Sequence, residues 1–160
     1  MPYKLGNRSV QKLEGVDERM QAVVRAAIGQ SKQDFSVICG LRTIEEQRAL
    51  VAKGASKTMK SKHLDGVAVD LMAYDGSMTP AGRWELNLYD EIADAMKRGA
   101  EEVGVGVCWG AAWAVEGHGY PFDIREWDGT MEDAMNAYVD LRRSQGKRPF
   151  IDGPHFELIV

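Results

Sequence analysis

Three histidines occur in the 160 residues, at 63, 118 and 155, and two of them stand near acids at spacings that suit metal chemistry. His63 lies in Ser61-Lys-His-Leu-Asp-Gly-Val-Ala-Val-Asp70, and His155 in Asp152-Gly-Pro-His-Phe-Glu157. A hydrolytic zinc needs three N or O ligands at about 2.0–2.2 Å and an open fourth position for water. His63 before a strand and Asp70 within it converge if the loop between them folds back, with Gly66 supplying the turn. His155, at the head of the last strand, offers a third ligand. A lone H-x6-D also arises by chance, and a chain of this size can use both histidines structurally. Asp152 adds to the case. Across a Gly-Pro turn it can stand beside a metal without binding it and move the proton of an attacking water. An Asp that merely starts a turn is the other use of that residue.

These residues need a scaffold, and the hydrophobic pattern supplies one. Val16, Met20, Val23, Val24, Ala27 and Ile28 recur at helical spacing and predict a helix over about 17–30. Phe35 to Cys39 reads as a strand ended by Gly40. Thr43-Ile-Glu-Glu46 is a capping box that opens a helix closing at Gly54. Val67, Val69 and Leu71 alternate with Asp70 and Met72, so Asp70 should face away from the valines. A long helix follows over about 87–103, then a buried strand over 105–109. Residues 114–129 read as loop, Met131 to Arg143 as a helix capped by Thr130, and 155–160 as a final strand. Helices mixed with short strands, without regular βαβ alternation, predict one compact α+β domain.

Composition narrows the function. Twenty Lys and Arg against 24 Asp and Glu give a formal charge of −4, and no basic run exceeds two residues. That balance argues against nucleic acid as the partner. The longest uncharged stretch, Val103 to Val115, is broken by glycines and falls well short of the roughly 18–20 apolar residues of a membrane span. The N-terminus has no secretory-signal pattern. Cys39 and Cys108 lie far apart in apolar stretches and read as buried free thiols rather than a disulfide or a metal pair.

Taken together, Ser-x-His-x-x-Gly-x-Ala-x-Asp at 61–70, Trp-Gly-x-x-Trp at 109–113 and Asp-x-Pro-His-Phe-Glu-Leu at 152–158 resemble one family. It is the D-alanyl-D-alanine carboxypeptidase and phage L-alanyl-D-glutamate endopeptidase family, zinc peptidases related to lysostaphin and the hedgehog N-domain. Leu5-Gly-Asn-Arg-Ser9 and Gly40-Leu-Arg-Thr-Ile-Glu-Glu-Gln47 resemble its phage lysin branch. The resemblance implies an antiparallel sheet flanked by helices and one catalytic zinc ion on His63, Asp70 and His155. It implies Asp152 as the catalytic carboxylate and Arg42 as an active-site guanidinium for a substrate carboxylate or the oxyanion. Ser61, Trp109 and Trp113 would contact substrate, the two tryptophans as cleft walls. Gln47 reads as a solvated or packing residue. The implied activity is hydrolysis of the peptidoglycan stem peptide, at the L-alanyl-D-glutamate bond. The alternatives are a D,D-carboxypeptidase and, without turnover, a zinc-containing structural or binding module.

One departure from the shorter lysins stands out. Thirty-eight residues separate Trp113 from Asp152, so the domain spanning 1–160 is expected to carry an insertion at about 114–150. His118 falls there and reads as a loop residue. Replacing 117–148 is expected to leave a folded, zinc-binding core. With no signal pattern, the protein is expected to be a monomer that stays in the host cytoplasm until a holin opens the membrane, or to be carried by a virion.

Overall fold

The computed structural model describes residues 2–160. Five strands form one antiparallel sheet: β1 (Phe35–Cys39), β2 (Ala68–Tyr74), β3 (Gly82–Arg83), β4 (Val107–Trp109) and β5 (His155–Leu158). The strand order is β1-β2-β5-β4, and the short β3 pairs with the far end of β2. Five α-helices accompany the sheet: α1 (Asn7–Lys12), α2 (Glu18–Ile28), α3 (Ile44–Ala52), α4 (Leu86–Val103) and α5 (Met131–Ser144). The expected α+β class and antiparallel sheet are therefore what the chain adopts.

Strand alternation sorts the sheet into two faces. Phe35 and Val37, Val69 and Leu71, Phe156 and Leu158, and Val107 and Trp109 join one buried cluster with the apolar stripes of α2 and α4. Met20, Val23 and Val24 on α2, and Ile92, Ala93 and Met96 on α4, are fully buried in it. The opposite face carries Asp70, His155 and Glu157. The capping box at α3 forms as expected: the Glu46 amide donates to Thr43 Oγ1 at 3.1 Å, and the Thr43 amide to Glu46 Oε1 at 3.1 Å.

Two elements escape the sequence pattern. Helix α1 is too short to show a period, and an isolated helix of that length is unstable in water. It is held by docking: the Val37 amide, on the outer edge of β1, donates to the buried Ser9 Oγ at 3.0 Å. Strand β3 has only two residues, below any alternation signal. Strand β4 is also shorter than expected and starts at Val107; beyond it a single bond, from the Ile159 amide to the Gly106 carbonyl at 2.9 Å, continues the pairing.

The segment 114–150 is not a satellite on a finished core. Phe122, Ile124, Met131 and Ala134 are fully buried, and Tyr138 nearly so, in the same cluster as the sheet and α4. The Met131 amide donates to Asp94 on α4 at 2.8 Å. Burying a large apolar side chain contributes about 1.5–3 kcal/mol, so these residues together match much of a domain's stability of about 5–15 kcal/mol. The expectation that 117–148 can be exchanged for a linker is accordingly reversed. A protein with a Gly/Ser linker in place of 117–148 should lack a cooperative thermal transition; a sharp melt near that of the full chain, followed by circular dichroism, would show the segment to be dispensable.

Candidate metal centre and cleft

The register of β2 against β5 sets Asp70 opposite His155 on the open face. His63 reaches the same point from the turn before β2. There the Gly66 amide donates to the His63 carbonyl at 3.2 Å, and Gly66 takes φ 70°, a left-handed conformation that favours glycine. The Arg42 amide donates to the same carbonyl at 3.0 Å, tying the start of α3 to this turn.

Each imidazole turns one nitrogen toward Asp70 and has the other fixed by an acceptor. His63 Nε2 is 3.2 Å from Asp70 Oδ2, and its Nδ1 is 2.9 Å from the Gly40 carbonyl. His155 Nδ1 is 3.2 Å from Asp70 Oδ1, and its Nε2 is 2.9 Å from Glu157 Oε1. Metal-binding histidines show this pattern, because an acceptor on the far nitrogen sets tautomer and ring orientation. The two rings lie 5.3 Å apart. Asp70, Asp152 and His155 each offer a donor atom within 4.8 Å of the others, as do Cys39, His63 and Asp70. Two overlapping groups thus share Asp70, one of O, O, N and the other of S, N, O donors, and each holds one of the two histidines. Donors of these types suit zinc.

Asp152 is placed by a close backbone crossing. Its amide donates to the Gly110 carbonyl at 2.8 Å, and the Gly110 amide donates to the His155 carbonyl at 2.8 Å. A Cβ on Gly110 would sit 2.2 Å from the Asp152 carbonyl oxygen, so only glycine fits between Trp109 and the cleft. Burial, and then the charge of Asp70, push the Asp152 carboxyl above its ordinary range. Asp70 behaves oppositely. Burial works to raise it, but hydrogen bonds with His155 and His63 hold it well below that range. Burial disfavours charge on the histidines, yet Asp70 and Cys39 lift His63 to about 10, and Asp70 and Glu157 lift His155 to about 9.

The cleft around this group has a volume of about 710 Å³ and is lined by Arg42, Ser61, Trp113 and Phe150 among others. Arg42 Nη2 stands 3.9 Å from Asp70 Oδ2, and Nη1 is 3.5 Å from Ser61 Oγ. The Trp113 ring centre is 5.5 Å from His155 and 6.3 Å from Phe150. Trp109 must be moved out of the cleft. Strand alternation turns it to the core with Val107; it is fully buried, stacks on Phe156 at 6.2 Å and donates its indole N–H to the Gly153 carbonyl at 2.7 Å. It positions the Asp152 turn from behind. His118 stays outside the cleft, 3.3 Å from Glu126 and edge-on to Phe122.

Three residues here carry site contacts that the sequence did not assign to them. Glu157 shares the face of His155 by the two-residue strand period, which was available as a signal. Cys39 is half-buried rather than buried, 3.5 Å from His63 Nδ1, because a bulge in β1 sets it against Asp70. Burial pushes its thiol up, but the His63 hydrogen bond and the charges of His63 and Arg42 together outweigh this, and the net shift is downward. Gln47 is fully buried and is not solvated. It accepts from Arg42 Nη1 at 2.8 Å and donates to Ser56 Oγ at 2.9 Å and to the Thr58 carbonyl at 2.6 Å.

The profile of the phage L-alanyl-D-glutamate peptidase family matches residues 1–134. The chain belongs to this family. It is 30% identical over 121 residues to the L-alanyl-D-glutamate peptidase of Escherichia phage T5, a match covering 73% of this chain and 86% of the relative. The crystal structure of the Serratia marcescens L-Ala D-Glu endopeptidase ChiX superposes with a TM-score of 0.67 and 32% identity, over 98% of this chain and 90% of the other. The family match takes in His63 and Asp70 and runs through the first half of the 114–150 segment, in keeping with that segment's place in the core. The ChiX match runs over nearly the entire chain.

Two outcomes follow from the geometry. Glu157→Gln should fold normally but bind zinc about 10-fold more weakly, since the orienting acceptor loses its charge; unchanged affinity in a chelator competition would remove Glu157 from this role. Their protein partners raise the pKa of both imidazoles, and ligation requires the free base. Zinc binding should therefore release protons, and affinity should weaken as pH falls. Calorimetry in buffers of different ionisation enthalpy reads this directly; binding without proton release would contradict the assignment.

Proposed function

We propose that this chain is a zinc-dependent peptidoglycan peptidase that hydrolyses the L-alanyl-D-glutamate bond of the stem peptide. The observation that carries the reading is the convergence of His63, Asp70 and His155 in one cleft with a separately held Asp152. Membership of the phage L-alanyl-D-glutamate peptidase family supports the choice of bond. His63 Nε2, Asp70 and His155 Nδ1 are the groups that would hold the metal, their far sides being fixed by Gly40 and Glu157. A zinc ion held by this set supplies Lewis acidity for amide hydrolysis near neutral pH.

The rest is done by the chain's own residues. Asp152 accepts the proton of the attacking water and passes it to the departing nitrogen of D-glutamate; its raised pKa suits both halves of that transfer. Arg42, held by Gln47 and close to Asp70, binds a substrate carboxylate or the developing oxyanion. Ser61 offers a hydroxyl beside it, and Trp113 with Phe150 gives the peptide a flat apolar wall. Among the described residues no helix is long and apolar enough to cross a membrane. Access to the wall through a holin pore, or from a virion, belongs to the same proposal.

The test is a digest of purified peptidoglycan by the zinc-loaded protein, read by mass spectrometry. Cleavage between L-Ala and D-Glu is expected. Loss of terminal D-Ala would favour a carboxypeptidase, and unchanged muropeptides would favour a binding module. Asp152→Asn should keep its zinc and lose about 10²-fold or more in turnover; near-normal turnover would exclude Asp152 as the base.

A further inference from the structure

The cleft is electrically lopsided. Its carboxylates, Asp70, Asp152 and Glu157, all belong to the group around the metal position, while every other charged side chain lining it is a cation: Arg42, Lys57, Lys60 and Lys62. The chain as a whole has more acids than bases, 24 against 20, so an unselected wall would mix the two signs. All three lysines are exposed, and among the described residues none of them is engaged in an ion pair.

The loop that carries them is built in rather than loose. Buried Gln47 donates to Ser56 and to the Thr58 carbonyl while accepting from Arg42. The Lys60 amide donates to Thr58 Oγ1 at 2.9 Å, and the His63 amide to Ser61 Oγ at 3.2 Å. One side chain therefore fixes both the lysine loop and the guanidinium beside Asp70. The other side of the cleft is aromatic, with Trp113, Tyr120 and Phe150, of which Tyr120 and Phe150 are 78% and 65% exposed.

We propose that Lys57, Lys60 and Lys62 form an anion-binding wall that selects stem peptides whose carboxylates are free rather than amidated. The inference rests on the peptidase reading above and adds the substrate's charge state. In a γ-linked stem the α-carboxylate of D-glutamate sits on the carbon bearing the scissile nitrogen, and a diaminopimelate at the next position adds another carboxylate. Amidation to D-isoglutamine erases the first of these charges without changing the shape. A cationic wall opposite an aromatic one also fixes the direction in which such a peptide lies. It raises the encounter rate as well, an effect that salt suppresses.

The experiment compares L-Ala-γ-D-Glu-diaminopimelate with its D-isoglutamine counterpart. Cleavage is measured with zinc-loaded wild type, and binding by calorimetry on zinc-loaded Asp152→Asn protein. The free carboxylate should be favoured by about tenfold or more in kcat/KM and in affinity, and less so at high salt. Combining Lys57→Met, Lys60→Met and Lys62→Met keeps the aliphatic stems and removes the charges. It should lower both ratios by about threefold or more, with Arg42 left to hold what remains, and the effect on cleavage should lie in KM rather than kcat. Equal binding of the two peptides by the unaltered wall, or a preference undiminished by the triple substitution, overturns the proposal. If neither peptide is cleaved while binding still discriminates, the peptidase reading fails and the anion wall stands.

Discussion

The antiparallel register of β2 against β5 is the constraint on which the cleft depends. It sets Asp70 beside His155, and it keeps Phe156 and Leu158 in the core. Side chains alternate with a period of two, so a slip of one residue would send His155 and Glu157 into the core and Phe156 into the cleft. Apolar burial forbids that slip. Phe156 is clamped by the Trp109 ring on the neighbouring strand, and Trp109 also holds the Gly153 carbonyl. The Leu71 amide donates to the Pro154 carbonyl at 2.9 Å, fastening the turn to the centre of the sheet. The face that carries Asp70 and His155 is thus set by hydrophobic packing on the other side of the same strands.

A second tier of contacts converts that placement into orientation. Gly40 and Glu157 each take the far nitrogen of a histidine, leaving the near nitrogens no choice but to face Asp70. Gln47 does the equivalent for Arg42 and for the loop bearing Ser61. Such supports act on reactivity through position alone, and they come from β1, α3 and β5, elements separated widely along the chain. The α5 segment adds its own support: Tyr138 Oη donates to the Phe150 carbonyl at 3.0 Å, holding the strap that leads into Asp152. Part of the core and one wall of the cleft therefore share a helix.

Much of this was legible in the sequence because periodicity reports which face a residue occupies. The alternation around Asp70 placed it opposite the valines, and the capping box and the long helices fell where the spacing put them. Trp109 was misplaced although the same rule was available: the motif drew it toward the cleft, while its position two residues from Val107 turned it to the core. Residues 114–150 looked peripheral because loop composition hides the few apolar residues, such as Phe122 and Ile124, that anchor it. Gln47 and Cys39 were beyond reach for another reason. Their roles depend on side-chain partners 5 to 24 positions away, and no apolar periodicity encodes those contacts.

The site also separates its two aspartates by environment. Asp70 and Asp152 lie in the same cleft and are both substantially buried, so desolvation pushes both upward. Only Asp70 receives hydrogen bonds from two imidazoles, and these reverse the shift and favour its ionised form. Asp152 has no such partner and feels the charge of Asp70 instead, which raises it further. Two acids of one chemical type are thereby driven apart, one toward permanent charge and the other toward exchange of a proton. The backbone crossing at Gly110 fixes Asp152 in this place, close enough to Asp70 to sense its charge. The two aspartates are thus distinguished by the number of hydrogen bonds each accepts, and that number is set by the strand on which Asp70 lies and the turn on which Asp152 lies.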